Sequence, residues 1–442
     1  MLDRTPLHLG RSRRWAVALT ALSLVGGLAA ACSSGLSSAE DAGGPGTGGS
    51  NGSGASASGS GGNKSGSGGA STGSGGSGNG NGGSSATGGN GSSGSSNGTG
   101  GTTLGPGGPA LGERSSANVL FSGHSLLDNP MPDFTAAIAT ARGDTLNWEQ
   151  QNVIGSPIRV RTRGDSNSDN WTGYRRGKNR SGSDRDLLAE LANPTTIPSG
   201  EKYDTLLITE RHDPIQTIRW EDTVGYILHY HDRLAERHDT ARTLVYQVWP
   251  DIDKANPAPW VEYQSTELVL WECIVGKINL HLEGAGRERS LAVIPGSQAL
   301  ARLVEATLAD EVPGITGSQQ QKLDALFTDN VHLTHVGQYF MAAVHYSALF
   351  GKPPSGANAG SDQVPSNTAA KLEEIAWQAM ADYFDNGQPL GRTMEDCRTR
   401  VERDVCPAFY TIRGNQLDDC TWWSSAESPF RLPDSKLPLP AP

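Results

Sequence analysis

Short apolar segments alternate with longer segments of helical periodicity over most of residues 118–350. Buried strands of a parallel sheet are short, apolar and joined by helical crossovers, so this alternation predicts an α/β fold. We expect three layers, with helices on both faces of a five-stranded parallel sheet. In such sheets ligands bind at the carboxyl ends of the strands, and the residues that follow each strand are therefore the first candidates for a site. The predicted strands are 118–122, 146–154, 203–208, 243–248 and 291–294, and the predicted helices include 130–141, 184–191, 215–238, 260–282, 297–309 and 336–350.

Residues 33–110 contain almost only Gly, Ser, Asn, Thr and Ala. Such a segment cannot bury enough apolar surface to offset the entropy lost on ordering, so it is predicted to be a flexible linker. The predicted folded part is a domain over 111–356, followed by a C-terminal addition over 357–442. That addition has one helical apolar stripe and then a cap that contains cysteine and tryptophan.

The first 32 residues have the pattern of an export signal. Arginines precede an apolar run, 15–31, which ends in three alanines and Cys32. This pattern resembles a bacterial lipoprotein signal, and the resemblance implies cleavage before Cys32 and lipidation of that residue. We then expect an exported protein held in the cell envelope by its lipid, at the outer membrane, in the periplasm or on the cell surface. A plain secreted protein and a retained membrane helix are the alternatives.

The net charge and the cysteines narrow the class of protein further. The chain has a net charge of −11 and so lacks the excess of basic residues that is typical of a nucleic-acid-binding protein. Besides Cys32 there are four cysteines, an even number that permits two disulfides in an oxidising compartment, with three possible pairings. Cys397 and Cys406 are close in sequence and are the first pair expected. The chain has no Cys-x-x-Cys spacing, and we expect neither a zinc site nor any other metal.

Two motifs together predict nucleophilic catalysis. The first predicted strand runs into Ser122-Gly123-His124-Ser125, which would expose the Ser125 hydroxyl at a strand end. Asp329 and His332 lie three residues apart before the helix 336–350. A serine nucleophile needs a base, and the base needs a carboxylate that fixes its tautomer, so these residues suffice in principle. Taken singly, the first motif is more typical of a turn and the second of a loop cap.

These motifs resemble the blocks of the SGNH/GDSL hydrolase family over about residues 118–356. Gly123-His124-Ser125-Leu126 is similar to the first block, with His124 where Asp is usual, and Asp329-Asn330-Val331-His332 is similar to the last. Gly155 matches the glycine of the second block, and the resemblance implies that the N–H groups of Ser125 and Gly155 form the oxyanion hole. The third block usually presents Gly-x-Asn-Asp, and here the third strand runs into Thr209-Glu210-Arg211-His212-Asp213. Arg211 or His212 would have to donate in place of the asparagine, or the hole has two donors.

The resemblance implies a serine esterase that works through an acyl-enzyme, without metal or cofactor, on a short acyl ester. By analogy with the family, the expected substrate is an acetylated carbohydrate. Candidates for lining the substrate are His124, Glu210, Arg211 and Trp249, although Glu210 and Trp249 could equally be structural. The arginine-rich segment 159–180 could form a rim for an anionic or sugar-like substrate, or a solvated loop. The alternatives to an esterase are a binding lipoprotein on the same fold and a surface interaction protein.

Overall fold

The computed structural model describes residues 112–165, 170–360, 363–385, 393–414, 420–423 and 430. The predicted signal with Cys32, and the linker 33–110, lie outside these residues. Within them, no helix combines the length and the apolar character needed to span a lipid bilayer.

A five-stranded sheet with all strands parallel forms the centre of the described fold, as predicted. The strand order is β2-β1-β3-β4-β5, so β1 lies between β2 and β3. Because the chain turns to one side after β1 and to the other after β3, the carboxyl end of β1 is a topological switch point, where sheets of this type bind ligands. The strands are β1 Ser116–Gly123, β2 Thr145–Asn152, β3 Thr205–Ile208, β4 Arg242–Tyr246 and β5 Leu291–Ile294.

Helices cover both faces of the sheet, which confirms the three-layer α/β/α prediction. Helices α1 and α9 pack together on one face, and α5 and α6 lie on the other. Their inward sides carry fully buried apolar residues such as Ile138, Ile227 and Ile274. The helices are α1 Met131–Ala141, α2 Ile158–Thr162, α3 Leu187–Ala192, α4 Pro214–Trp220, α5 Thr223–Ala235, α6 Ala258–Gly284, α7 Gly296–Leu308, α8 Gln319–Leu326, α9 His335–Phe350, α10 Ser366–Asp385, α11 Met394–Arg400 and α12 Cys406–Ile412.

The single helix predicted over 215–238 was wrong, because the structure has two helices there. Asp222 adopts a left-handed backbone conformation, with φ of 52°, between α4 and α5. Left-handed residues interrupt a right-handed helix, and the chain changes direction at this point. Only three polar residues, Glu221-Asp222-Thr223, separate the apolar residues of the two helices, and this is less than one helical turn, so the pattern alone did not reveal the break.

The expected Cys397–Cys406 disulfide was also wrong. Cys273 of α6 pairs with Cys397, and Cys406 pairs with Cys420. A continuous helical segment runs through α11, a π-helical turn at Val401–Val405, and α12. Nine residues of helix rise by about 13 Å, which is too far for a disulfide. The two bonds instead attach this C-terminal segment to α6 and close it on itself.

Candidate active site

Ser125 stands directly beyond the carboxyl end of β1, as the first residue of a 3-10 turn, Ser125–Leu127. Gly123 permits the sharp exit from the strand, since a Cβ there would lie 2.7 Å from the Cβ of Leu127. The side chain of Asn152 at the end of β2 donates to the carbonyl of His124 over 2.9 Å. The turn is therefore fixed from its own strand and from the neighbouring one, while Ser125 remains partly exposed.

The structure brings Ser125, His332 and Asp329 into one hydrogen-bonded chain. Nε2 of His332 lies 3.0 Å from Oγ of Ser125, and Nδ1 lies 2.7 Å from Oδ2 of Asp329. An ionised carboxylate can only accept, so Nδ1 carries the proton and Nε2 accepts from the serine hydroxyl. This is the arrangement in which an imidazole can take a proton from a serine nucleophile.

The loop that carries Asp329 and His332 is attached to the end of β4. Trp249 Nε1 donates to the carbonyl of Val331 over 2.8 Å, and Ile252 N–H donates to the carbonyl of Asn330 over 2.8 Å. Trp249 is fully buried, which favours the structural role over a role in lining the substrate, the two alternatives that the sequence left open. Its indole instead positions the segment that bears the acid and the base.

Hydrogen bonds keep Asp329 ionised. Burial alone would raise its pKa, but the backbone N–H and ring of His332 and the N–H of Val331 lower the pKa to about 2. Oδ1 accepts from the backbone N–H groups of Val331 and His332, at 2.7 and 2.6 Å, and Oδ2 faces the imidazole. The two oxygens therefore have different partners, one fixing the loop and the other fixing the tautomer of His332.

Asp329→Asn is therefore expected to lower kcat for p-nitrophenyl acetate by about 10⁴-fold while the protein stays folded. The amide oxygen would stay with the two backbone donors, and the NH₂ group would face Nδ1 of His332. Nδ1 would then have to accept, which leaves the proton on Nε2, where it cannot take another from Ser125. The thermal unfolding midpoint serves as the control, and a kcat within tenfold of wild type at an unchanged midpoint would contradict this role.

Gly155 lies in the turn that follows β2. The N–H of Val153 donates to the carbonyl of Gly123 over 3.0 Å, which holds this turn against the end of β1. Gly155 is exposed and has a φ of 64°, a left-handed conformation that suits glycine. In the part of the chain that the structure describes, the backbone N–H groups of Gly155 and Ser125 donate to no protein acceptor. Both are available to a ligand oxygen.

Arg161 of α2 cross-links the segments that carry these groups, although its side chain is completely buried. The guanidinium donates to Oγ of Ser122 over 3.1 Å, to the carbonyl of Ser156 over 2.7 Å, and to the carbonyl of Thr209. Those residues belong to the ends of β1 and β3 and to the Gly155 turn. From the sequence, Arg161 belongs to the segment 159–180, predicted to be either a substrate rim or a solvated loop, because a buried arginine and an exposed one have the same local pattern.

Glu210 is the buried counterpart of Arg161. Its carboxylate accepts from the backbone N–H groups of Ile158 and Arg211, at 3.1 and 2.8 Å, and from the Thr223 hydroxyl at 2.7 Å. Burial raises its pKa, while the nearby Arg161 charge opposes that rise. Glu210 is 1% exposed, and its contacts favour the structural role that the sequence left open beside a role in lining the substrate.

His124, another predicted lining residue, is also buried and structural. Nε2 lies 2.9 Å from the carbonyl of Glu210, and Nδ1 accepts from the N–H of Leu126 over 3.4 Å. Burial and the charge of Arg161 lower its pKa to about 3, so the ring is neutral at pH 7. His124 thus caps the turn that bears Ser125 and ties it to the loop after β3.

The two candidates for replacing the third-block asparagine, Arg211 and His212, have different surroundings. Arg211 is engaged by Asp213, with its Nε and Nη2 at 2.7 and 3.0 Å from the two carboxylate oxygens. The ring centroid of His212 lies 6.2 Å from that of His124, beside the nucleophile turn. Burial lowers the pKa of His212, which favours the neutral ring with one N–H donor.

Comparisons with known proteins add little to this site. No protein-family model matches the chain, and no curated protein matches it. Among solved structures, a DUF4886 family protein from Bacteroides uniformis is similar over 60% of this chain and 95% of its own, with 14% sequence identity and a TM-score of 0.41.

Proposed function

We propose that this protein is a serine esterase of the SGNH/GDSL type. The observation that carries the proposal is the hydrogen-bonded chain from Ser125 Oγ through His332 to Asp329, with distances of 3.0 and 2.7 Å. The sequence blocks around Gly123-His124-Ser125, Gly155 and Asp329-Asn330-Val331-His332 support the family assignment. The partly exposed Ser125 at the switch point of a parallel sheet supports a site open to substrate.

The geometry is suited to acyl transfer in two steps. Ser125 Oγ attacks the ester carbonyl carbon as its proton passes to Nε2 of His332, and the carbonyl oxygen becomes an oxyanion. The N–H groups of Ser125 and Gly155 donate to that oxygen. When the C–O bond to the alcohol breaks, His332 returns the proton to the leaving alcohol. Water then attacks the acyl-enzyme by the same proton transfers in reverse, which releases the acid and regenerates Ser125.

A fluorophosphonate probe tests this proposal directly, because it labels only serines that are activated as nucleophiles. We expect stoichiometric labelling of the purified protein, with the adduct mapped by mass spectrometry to the peptide that contains Ser125. His332→Ala should abolish labelling. If the folded wild-type protein neither labels nor hydrolyses p-nitrophenyl acetate, the catalytic proposal fails and the domain should be tested as a binding module.

His212→Ala is expected to lower kcat for p-nitrophenyl acetate by about 100-fold if His212 is a third oxyanion donor. KM should change much less, because the donor acts on charge that develops only in the transition state. His212→Asn, which returns an amide N–H₂ to this position, should recover part of the rate. Equal kcat for wild type and His212→Ala would mean that the hole has two donors.

We further propose that the protein is exported and anchored by a lipid on Cys32, with residues 33–110 as the tether. The signal-like segment before Cys32 and the composition of the linker support this. Metabolic labelling with a fatty acid should mark the wild-type protein and not Cys32→Ser. Unlabelled wild-type protein in the culture medium would show plain secretion instead.

A further inference from the structure

The C-terminal segment, α11 to α12, lies outside residues 118–356, over which the chain resembles the SGNH/GDSL family. Its last helix nevertheless reaches the end of the sheet that carries Ser125. Helix α12 packs beside α6, where the ring centroids of Phe409 and Tyr263 are 6.4 Å apart. From this position it contacts the chain that follows β3 and the chain that follows β4. Both of these stretches contribute to the candidate site.

The first contact ties α12 to the chain after β3. Nε2 of Gln216 donates to the hydroxyl of Tyr410 over 2.7 Å. Gln216 lies in the first turn of α4, four residues after His212. The helix therefore supports the short stretch that places His212 beside the turn of Ser125.

The second contact ties α12 to the chain after β4. Arg413, the residue that follows α12, forms an ion pair with Asp251. The next residue, Ile252, donates its N–H to the carbonyl of Asn330 over 2.8 Å. Asn330 belongs to the loop that carries the acid and the base. One ion pair and one hydrogen bond thus connect Arg413 to that loop.

The charges of this ion pair also act on His212. Burial is the main reason why the pKa of His212 is lowered, and the charges of Asp213, Asp251 and Arg413 affect the same ring. Asp251 raises that pKa, whereas Arg413 lowers it. The ion pair is therefore close enough to the candidate third oxyanion donor to influence its protonation.

Covalent bonds and ring packing hold Arg413 in this place. Cys406, the first residue of α12, is bonded to Cys420, and the other disulfide joins α11 to α6. The guanidinium carbon of Arg413 lies 5.9 Å from the ring centroid of Phe409. The end of α12 is therefore a fixed support for the loop after β4.

The ion pair itself contributes little to the stability of the fold. The side chains of Arg413 and Asp251 are 28% and 46% exposed, and solvent screens the attraction between exposed charges. Its effect is therefore expected on the position of the loop and not on folding. Small errors in the position of a catalytic group can lower the rate strongly.

We infer that Arg413, held in place by the Cys406–Cys420 disulfide, is a positioning residue of the proposed esterase site: it holds the loop after β4, and through that loop it orients His332 toward Ser125. The inference rests on the proposed function for its effect on turnover. The orientation of His332 can be measured without turnover. The C-terminal segment, which the sequence predicted to be only a cap, is then a working part of the site.

Arg413→Met removes the charge and keeps the apolar stem over Phe409. On the full chain it is expected to lower kcat for p-nitrophenyl acetate about tenfold with little change in KM, because a misdirected base acts in the chemical step. Arg413→Lys, which restores the charge, should recover most of the rate. Arg403→Met is the matched control, since Arg403 is an exposed arginine of the same segment that is paired with Asp404. The thermal unfolding midpoint of each variant should lie within about 3 °C of that of the wild type.

The role of the disulfide is tested by Cys406→Ser combined with Cys420→Ser, which leaves the bond between α11 and α6 in place. This double variant should show a loss of kcat similar to that of Arg413→Met. Adding Arg413→Met to it should lower kcat no further, because both changes release the same contact. Losses that multiply would overturn the inference, since Arg413 and the disulfide would then act independently.

NMR spectra of protein with isotope-labelled histidine separate failure of this inference from failure of the esterase proposal. Arg413→Met should shift the imidazole signals of His332, assigned as those missing from His332→Ala, and Arg403→Met should not. If the wild type hydrolyses p-nitrophenyl acetate but Arg413→Met changes neither kcat nor these signals, the inference is wrong and the esterase stands. If nothing is hydrolysed yet the signals shift, Arg413 positions the loop and the esterase proposal falls.

Discussion

Ser125→Ala is expected to lower kcat for p-nitrophenyl acetate by at least about 10⁴-fold, and His332→Ala by a similar factor. Without Oγ there is no atom to form the acyl-enzyme, and without Nε2 nothing accepts the hydroxyl proton. The two losses should not add in the double variant, because both residues serve the same step. Any residual rate above that of buffer would come from the N–H groups that stabilise the oxyanion.

Ser116→Ala is the matched control, since Ser116 is exposed at the opposite end of the same strand. Its kinetics should equal those of the wild type. The fluorophosphonate probe checks that the Ser125→Ala preparation contains no other reactive serine hydrolase. If that preparation retained a tenth of the wild-type rate, Ser125 would not be the nucleophile.

Arg161→Met is expected to reduce the free energy of unfolding by about 3–5 kcal/mol and to lower kcat as well. The change leaves the Glu210 carboxylate buried without its neighbouring cation. It also frees the Ser156 carbonyl, the Ser122 hydroxyl and the Thr209 carbonyl from their shared donor. The Gly155 turn would no longer be held at a fixed distance from Ser125. The N–H groups of Gly155 and Ser125 would then lose their alignment.

The pH dependence of that loss distinguishes the charge effect from lost packing. Burial already raises the pKa of Glu210, and removal of Arg161 should raise it further. A carboxyl group whose pKa is higher in the folded than in the unfolded protein destabilises the fold as pH rises through that range. The destabilisation by Arg161→Met should therefore be smaller at pH 5 than at pH 8, measured by urea unfolding.

Two further variants complete the test. Arg161→Met combined with Glu210→Gln should recover part of the stability, since no buried charge then lacks a partner. Arg161→Lys should also recover part of the stability. Its ammonium group restores the positive charge, but all its donors are on one atom and cannot reach three separate acceptors. A loss that is the same at both pH values and is not relieved by Glu210→Gln would show that Arg161 acts through packing alone.

Much of the fold could be predicted from local pattern. The strand 291–294 was placed with its observed bounds, and the other four strands were placed within two residues at most of their ends. Short apolar runs and helical periodicity are properties of neighbouring residues, so they can be read without knowledge of distant contacts. The break at Asp222 was not found because it interrupts the apolar pattern for less than one turn, and the helix α8 was not found because it has few apolar residues.

The disulfides show that closeness in sequence does not predict which cysteines pair. Cys397 and Cys406 are near one another along the chain, yet the helix between them holds them apart. Cys397 instead bonds to a cysteine 124 residues earlier. Which cysteines meet depends on how α6 and the C-terminal segment pack, and no local pattern contains that information.

For the candidate site, the sequence by itself determined the chemistry available at the strand ends: a serine after Gly123, a glycine after β2, and an aspartate and histidine in one loop. These follow from residue type and position along single elements. Only the tertiary structure decided that Ser125 and His332, 207 residues apart, lie within hydrogen-bond distance. It also decided that His124, Glu210 and Trp249 are buried and that Arg161 joins three chain segments in the interior. The physical reason is that burial and long-range contact depend on which elements the sheet order places side by side, and a charged residue looks the same in sequence whether water or the core surrounds it.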